Sequence, residues 1–291
     1  MVDFDYYQPN SLQEVIALLS KYKDDAVLLA GGTALLVDIR QGKLQPHHMI
    51  SLWNVPGLDD LNMRNGICHL GTLTTLTHLA NTFTGQPALL GLVDCVLTFG
   101  SRQIQNVATV GGNICKASPG ADMVLPLLCL DAQVHLSGPS GSRETPLDGF
   151  LVGPGKSALQ PAEVLTGISF AIPAPRTGTA FLKAMRRKAV DLSQIAVATR
   201  VTLAEDGETI LEPRISLGAV APYPMRAKHA EAILNGSKFN SDLLHQAAVE
   251  ACNEIHPIDD VRASAEYRIM LTEIMVQRAV IKAVERSREG A

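Results

Sequence analysis

The sequence predicts an α+β protein in more than one part. Three observations carry this. A capped amphipathic helix is followed at once by a short apolar strand near the N-terminus. A Pro/Gly-rich break, Pro173-Ala174-Pro175-Arg176-Thr177-Gly178, interrupts the chain after residue 172. Beyond it, two apolar strand patterns joined by a turn precede two closing helices. The length of 291 residues fits about two domains.

Taken in order, Ser11-Leu12-Gln13-Glu14 is a capping-box pattern, with Ser11 placed to accept from the Glu14 amide. Leu12, Val15, Ile16, Leu18 and Leu19 then share one helical face. Val27-Leu28-Leu29-Ala30 reads as a buried strand, Ala34 to Arg40 as a helix and Met49 to Leu52 as a strand. Asn65-Gly66 signals a tight turn before a strand at Ile67 to Gly71. Leu73 to Asn81 and Ala88 to Phe99 read as helices, and Thr109 to Asn113 as a glycine-rich loop. Gln133 to Ser137 and Val164 to Ile172 are strand candidates. Past the break, Ile195 to Leu203 and Ile210 to Val220 are strands joined through Glu205-Asp206-Gly207. Ser241 to Asn253 and Ser264 to about Arg288 are the final helices.

Composition narrows the function. Apolar residues make up 46% and charged residues 19%, which fits a globular chain and excludes disorder. The net charge is −4 and aromatics are 4%, which argues against nucleic acid as a partner. The apolar run from Val27 to Val37 is too short to cross a bilayer, so no membrane insertion is expected. The N-terminus shows no secretory pattern, and a cytoplasmic location is expected. Five scattered cysteines contain no Cys-x-x-Cys pair, so no metal site is expected. The histidines show no metal-ligand spacing, and His47-His48 reads as exposed. Neither G-x-S-x-G nor a Ser/His/Asp order is recognisable, so hydrolase chemistry has no support.

Two short motifs stand out. Gly31-Gly32-Thr33 follows a strand and precedes a helix, and Gly111-Gly112-Asn113 follows Thr109-Val110. Residues without a Cβ let phosphate oxygens approach backbone amides closely. Two such loops could grip the two phosphates of one dinucleotide, although each could equally be a simple turn. Gly31-Gly32-Thr33 lacks the spacing of a Rossmann or Walker loop. Asp122 is a helix-cap candidate before Met123 to Leu130. Lys183, Arg186, Arg187 and Lys188, with Asp191 behind them, read as a solvated basic surface.

These residues resemble those of the FAD-binding subunit of molybdenum hydroxylases, the xanthine dehydrogenase and carbon monoxide dehydrogenase group. Val27-Leu28-Leu29-Ala30-Gly31-Gly32-Thr33 is similar to that family's first flavin loop. Gln103 to Asn113 is similar to its second, which typically reads Q-I-R-N-x-A-T-x-G-G-N. Ala117 to Asp122, Gly153 to Lys156, Glu163-Val164-Leu165 and Phe181-Leu182-Lys183 with Arg187 and Asp191 continue the match. Leu217 to Pro222 and Asp260 to Arg268 extend it into the last third of the chain. Ala34 stands where the family often has Asp, and Gln105 where Arg is usual; neither change removes a loop glycine. The cysteine spacing gives no sign of the extra iron–sulfur cluster that some relatives carry.

The resemblance implies a p-cresol methylhydroxylase-type FAD-binding domain over residues 1–175, with subdomains at about 1–56 and 57–175. A C-terminal α+β domain of the flavoprotein subunit would follow over 176–291. It implies cofactor contacts from Val27, Leu28, Leu29, Ala30, Gly31, Gly32, Thr33 and Ala34, and from Thr109, Val110, Gly111, Gly112 and Asn113. Phe99 would lie against a ring, Leu165 near the adenine or flavin edge, and Lys183 at polar cofactor atoms; Asp122 is a further contact. No side chain of the chain is expected to be catalytic, because the flavin is the redox agent. Molybdopterin would sit on a large subunit and 2Fe-2S clusters on a small one, the whole being a dimer of heterotrimers. Electrons would leave for NAD or another acceptor. The alternatives are an autonomous flavin-dependent reductase of related fold and a module whose FAD is structural.

Overall fold

A computed structural model describes residues 3–188 and 190–289. The first lobe contains β1 (Asp5–Tyr7), α1 (Leu12–Tyr22), β2 (Ala26–Leu29), α2 (Leu35–Arg40) and β3 (His48–Ser51). Its three strands lie in the order β1-β3-β2, all parallel. The Ser11 hydroxyl accepts from the Glu14 amide at 3.2 Å, as the capping box requires. The Glu14 carboxylate reaches back one residue further than the motif specifies, to the Asn10 amide at 2.9 Å. β2 was expected to be buried. It is only half-buried, because it is the edge strand and its outer side forms a cleft wall. His48 is not exposed as expected; it lies in β3 and stacks on Tyr22 at a centroid distance of 3.7 Å.

The second lobe follows. It runs through β4 (Leu61–Arg64), β5 (Ile67–Gly71), α3 (Leu76–Phe83), α4 (Leu90–Leu97), α5 (Arg102–Val107), α6 (Val110–Lys116) and α7 (Val124–Cys129). It continues with β6 (Gln133–Gly138), β7 (Gly141–Pro146), β8 (Leu151–Gly153), β9 (Lys156–Ser157) and β10 (Val164–Ala171). Asn65 and Gly66 both have positive φ, 52° and 76°, and close the β4–β5 hairpin. β10 crosses back to the middle of an antiparallel sheet ordered β4-β5-β10-β6-β7.

Three sequence expectations shift here. The helix expected from Leu73 begins at Leu76, because Thr75 caps it by accepting from the His78 amide, while Leu73 turns into the core. The helix expected over Ala88 to Phe99 is a 3-10 turn, Pro87–Leu89, followed by α4, which ends before Gly100 at φ +54°. The expected glycine loop at 109–113 is the first turn of α6, with Thr109 as its cap.

The last part is β11 (Thr177–Ala184), β12 (Ile195–Leu203), β13 (Ile210–Gly218), β14 (Met225–Arg226), α8 (Lys228–Leu234), α9 (Ser241–Asn253) and α10 (Ala265–Glu289). β13 stops short of the expected Val220 because Ala219 has φ +62°. The first four residues of β12, Ile195 to Ala198, are apolar and buried because both faces of its sheet are covered there. Ile195, Val197 and Val201 pack with the α8–α10 side, whereas Ala196 and Ala198 join the core of the second lobe. Asp94 on α4 ties the sheet to the last helix. It accepts from Lys282 at 3.1 Å, from Arg286 at 2.6 Å and from the Phe181 amide at 3.1 Å. Among the described residues, no helix is long and apolar enough to cross a membrane.

Candidate cofactor-binding site

A cleft of about 450 Å³ opens between the first two lobes, within the range of ligand sites. One wall is the edge strand and the turn after it, supplied by Val27, Leu28, Ala30, Gly31, Gly32, Thr33 and Ala34. The facing wall comes from Phe99, Thr109, Gly111, Gly112 and Asn113, and Leu165 of β10 adds a third side. These thirteen residues were named from sequence, and the fold brings them to one cavity. Four others are placed elsewhere. Leu29 packs beneath Gly32. Val110 is fully buried in the second-lobe core. Asp122 and Lys183 are answered by each other.

The Lys183–Asp122 pair is buried, with Nζ 2.7 Å from Oδ2 and the Ser193 hydroxyl donating to Oδ1 at 2.7 Å. Lys183 Nζ also stands 3.5 Å from the Thr98 carbonyl, next to Phe99. The pair thus braces the segment that carries Phe99 and lies outside the cleft lining. Asp122 does not cap α7; the cap position is Met123, without a side-chain bond. Of the expected basic surface, Arg186 is held by Asp191 at 3.1 Å, which keeps that carboxyl down at about 2.

The two glycine pairs do different work. After β2, the amides of Gly31, Gly32, Thr33, Ala34 and Leu35 find no acceptor among the described residues. All five residues line the cleft. Gly32 takes φ +69°, which a side chain would strain. A Cβ on Gly31 would collide with the Val107 carbonyl, so this glycine lets the turn lie flat against the second lobe. The turn is pinned from behind by Trp53, whose indole donates to the Ala30 carbonyl at 2.9 Å.

At α6 the amides are already engaged. Val110 donates to Thr74 O and Gly111 to Thr72 O, both at 3.0 Å, Gly112 to the Thr109 hydroxyl at 3.1 Å and Asn113 to Thr109 O at 3.1 Å. A Cβ on Gly111 would overlap Thr72. Asn113 accepts from the Met123 amide at 3.2 Å, which anchors the start of α7. The second glycine pair therefore supplies space and shape, and the first supplies donors.

Gln105, standing where the family pattern has Arg, is buried and donates to the Phe99 carbonyl at 3.0 Å; Arg102 donates to its Oε1 at 3.2 Å. Ala34 occupies the N-cap of α2 without a side-chain bond.

Sequence reading missed several lining residues, among them Leu35, Asp38, Leu52, Thr72, Cys115 and Lys116. Asp38 pairs with Lys116 across the cleft. Glu163, in a segment that the family resemblance did flag, is held by both Arg143 nitrogens at 2.7 and 2.8 Å, which lowers its carboxyl. The lining's three charged side chains are thus all paired. Burial pushes the Cys115 thiol up to about 12, so it stays protonated at neutral pH.

One chain of hydrogen bonds resembles hydrolytic machinery. Ser169 Oγ lies 2.7 Å from His135 Nε2, and His135 Nδ1 lies 3.1 Å from Glu144. These residues sit on three neighbouring strands, β10, β6 and β7, and Ser169 is on β10, the middle strand of the five-stranded sheet, whose backbone is paired on both sides. Donors for an oxyanion are therefore engaged, and the row is a cross-strand polar ladder.

Unengaged amides over a small-residue turn suit an anionic diphosphate, and apolar walls with one aromatic suit flat rings. The donor set and the cradle thus fit FAD.

Comparison with known proteins agrees. Residues 2–175 match the family described as FAD binding domain in molybdopterin dehydrogenase, and residues 180–283 match CO dehydrogenase flavoprotein C-terminal domain. The chain is 33% identical to the xanthine dehydrogenase FAD-binding subunit of Escherichia coli O157:H7 over 288 residues, covering 98% of this chain and 97% of that one. It is 31% identical to the carbon monoxide dehydrogenase medium chain of Hydrogenophaga pseudoflava, covering 95% and 96%. A solved structure of the latter organism's carbon monoxide dehydrogenase, lacking the Mo-pyranopterin moiety, superposes with a TM-score of 0.94 at 32% identity over 98% of both chains. With the cleft, the donor set and these likenesses in agreement, the chain belongs to the family of FAD-binding subunits of molybdopterin-containing dehydrogenases, an oxidoreductase component.

Proposed function

We propose that this chain is the electron-transfer subunit of a molybdenum hydroxylase made of three kinds of subunit, arranged as a dimer of heterotrimers in the cytoplasm. A large subunit would carry molybdopterin and choose the substrate, and a small one would carry 2Fe-2S clusters. Electrons would reach this chain from those clusters and leave for NAD or another acceptor. The observation that carries the reading is the cleft itself: five amides without an acceptor among the described residues, in a cleft lined opposite by small residues, with Phe99 and Leu165 flanking. Likeness to the medium chain of the Hydrogenophaga pseudoflava carbon monoxide dehydrogenase supports a subunit role.

Bound FAD would supply two-electron and one-electron redox chemistry. The residues of the chain do the rest. Gly31 to Leu35 would hold the diphosphate through their amides. Gly112 would leave room for the chain linking phosphate to ring. Gln105 and the Lys183–Asp122 brace fix the backbone of the Phe99 segment. We assign residues 1–175 to the FAD-binding domain, with subdomains meeting near residue 56, and 176–291 to the C-terminal domain.

Attachment should be non-covalent. No histidine lines the cleft among the described residues, and Cys115 is held as a thiol. Acid precipitation should therefore release all yellow colour, and colour kept in the pellet would contradict this. The subunit role is tested by anaerobic bleaching with a panel of purines and N-heterocycles. The chain alone should keep its flavin colour, and adding the co-purified large and small subunits should allow bleaching. Bleaching by substrate with this chain alone would favour the autonomous flavoenzyme. Full assembly without flavin reduction would favour structural FAD.

A further inference from the structure

We propose that the Asp38–Lys116 ion pair is a clasp across the mouth of the cleft that sets the rate at which FAD enters and leaves. The inference rests on the FAD assignment of this cleft. Asp38 belongs to α2 of the first lobe, and Lys116 is the last residue of α6 in the second. The two are 78 residues apart in sequence, both line the cleft, and the Lys116 ammonium donates to Asp38 Oδ2.

The lobes are joined differently at the two ends of the cleft. At its floor, Leu52 of the first lobe and Val164 of the second line the cavity and belong to one small apolar core that also takes in Leu73. Leu52 is 4% exposed and Val164 fully buried, so this end is closed to water. Toward the rim, the Lys116 and Asp38 side chains are 44% and 21% exposed. The buried apolar floor acts as a hinge, and the solvent-reached ion pair is the tie that must part for a ligand wider than the gap.

Charge supports the same role. Lys116 is the only cation in the lining among the described residues, and Asp38 and Glu163 are the only acids. Glu163 is neutralised by Arg143 from outside the lining. Pairing with Lys116 removes the remaining carboxylate charge, which would otherwise repel a diphosphate. The closed clasp thus makes the cleft neutral as well as shut. Partly exposed ion pairs are weak, so the clasp opens on thermal fluctuation and is sensitive to salt.

The test uses the FAD-loaded chain. Release is followed by FAD transfer to excess acceptor apoflavoprotein, at low and high salt. Wild type, Asp38→Asn, Lys116→Met and the reversed pair Asp38→Lys with Lys116→Asp are compared, with melting curves confirming that each is folded. Each single variant should release FAD roughly two- to fivefold faster than wild type at low salt, the range expected for such a pair. The single variants should also lose the wild type's acceleration by salt. The reversed pair should recover both the slow rate and the salt response. Wild-type release from Asp38→Asn overturns the clasp. A reversed pair that folds but releases as fast as Lys116→Met also overturns it, and makes Lys116 a counter-ion of the cofactor instead. Should the reversed pair not fold, the salt response of Asp38→Asn decides alone. Failure of the wild type to bind FAD would overturn the cofactor assignment itself, whereas bound FAD with uniform release rates overturns only the clasp.

Discussion

Gly31-Gly32 and Gly111-Gly112 look like two copies of one device, yet they sit in opposite states of hydrogen bonding. The turn after β2 presents five consecutive amides without acceptors among the described residues, and its Gly32 has a backbone angle that favours glycine. The start of α6 has spent its amides on Thr72, Thr74 and Thr109, and its Gly111 exists because Thr72 occupies the place of a side chain. A glycine pair therefore marks either free donors or crowded backbone, and only the neighbouring partners distinguish the two.

The largest effect should come from adding one carbon at the crowded positions. Gly111→Ala drives a methyl into Thr72, and Gly31→Ala drives one into the Val107 carbonyl. Each should destabilise by roughly 1–3 kcal/mol or more, as overpacking does. Thermal melting measures it; unchanged midpoints would show that these glycines are not packing devices. Next comes Gly112→Val, whose Cβ would meet the Thr109 hydroxyl and then Ala30 across the cleft. FAD affinity should fall by roughly tenfold or more, about 1.4 kcal/mol, with the fold kept and the melting midpoint lowered less than in Gly111→Ala. Titration at wild-type affinity would remove Gly112 from the site.

Thr109→Val sharpens the contrast further. It deletes the hydroxyl that accepts from Gly112 and should cost about 1 kcal/mol of stability, the usual value of a helix cap. FAD binding to the folded protein should survive. Loss of FAD without loss of stability would mean that the hydroxyl reaches the cofactor. The smallest effect concerns the third wall, because neither glycine turn carries a charge. Arg143 lowers the Glu163 carboxyl, so its stabilisation is complete above the ordinary glutamate value, about pH 4.3. It should fade as pH drops through the lower folded value. Melting midpoints between pH 6 and 3 should show this slope, and Glu163→Gln should flatten it.

What could be read in advance follows the range of the interactions involved. Ser11 with Glu14, Asn65-Gly66 and the α9 bounds Ser241–Asn253 are local signals and stand as written in the chain. Thirteen cleft residues were legible because two short motifs and a family pattern carry them. Lys183 and Asp122 were placed at the cofactor because the family resemblance implied it. Only the fold shows that residues 61 positions apart neutralise each other. Asp38 and Lys116 escaped notice for the same reason: each is an ordinary helix-surface residue until two lobes face one another. The α6 start was misread as a loop because two glycines outweighed the cap signal of Thr109.

The lone tryptophan of the chain acquires an optical meaning from its position. Trp53 hydrogen-bonds the carbonyl immediately before Gly31, so its indole stands directly behind the amide-bearing turn. Its emission therefore comes from one known place and is uncontaminated by other indoles. Resonance transfer from that indole to a flavin would dim it on occupancy, and movement of the turn alone would shift its colour. The protein thus has a built-in fluorophore that separates filling of the cleft from rearrangement of its wall, without any label.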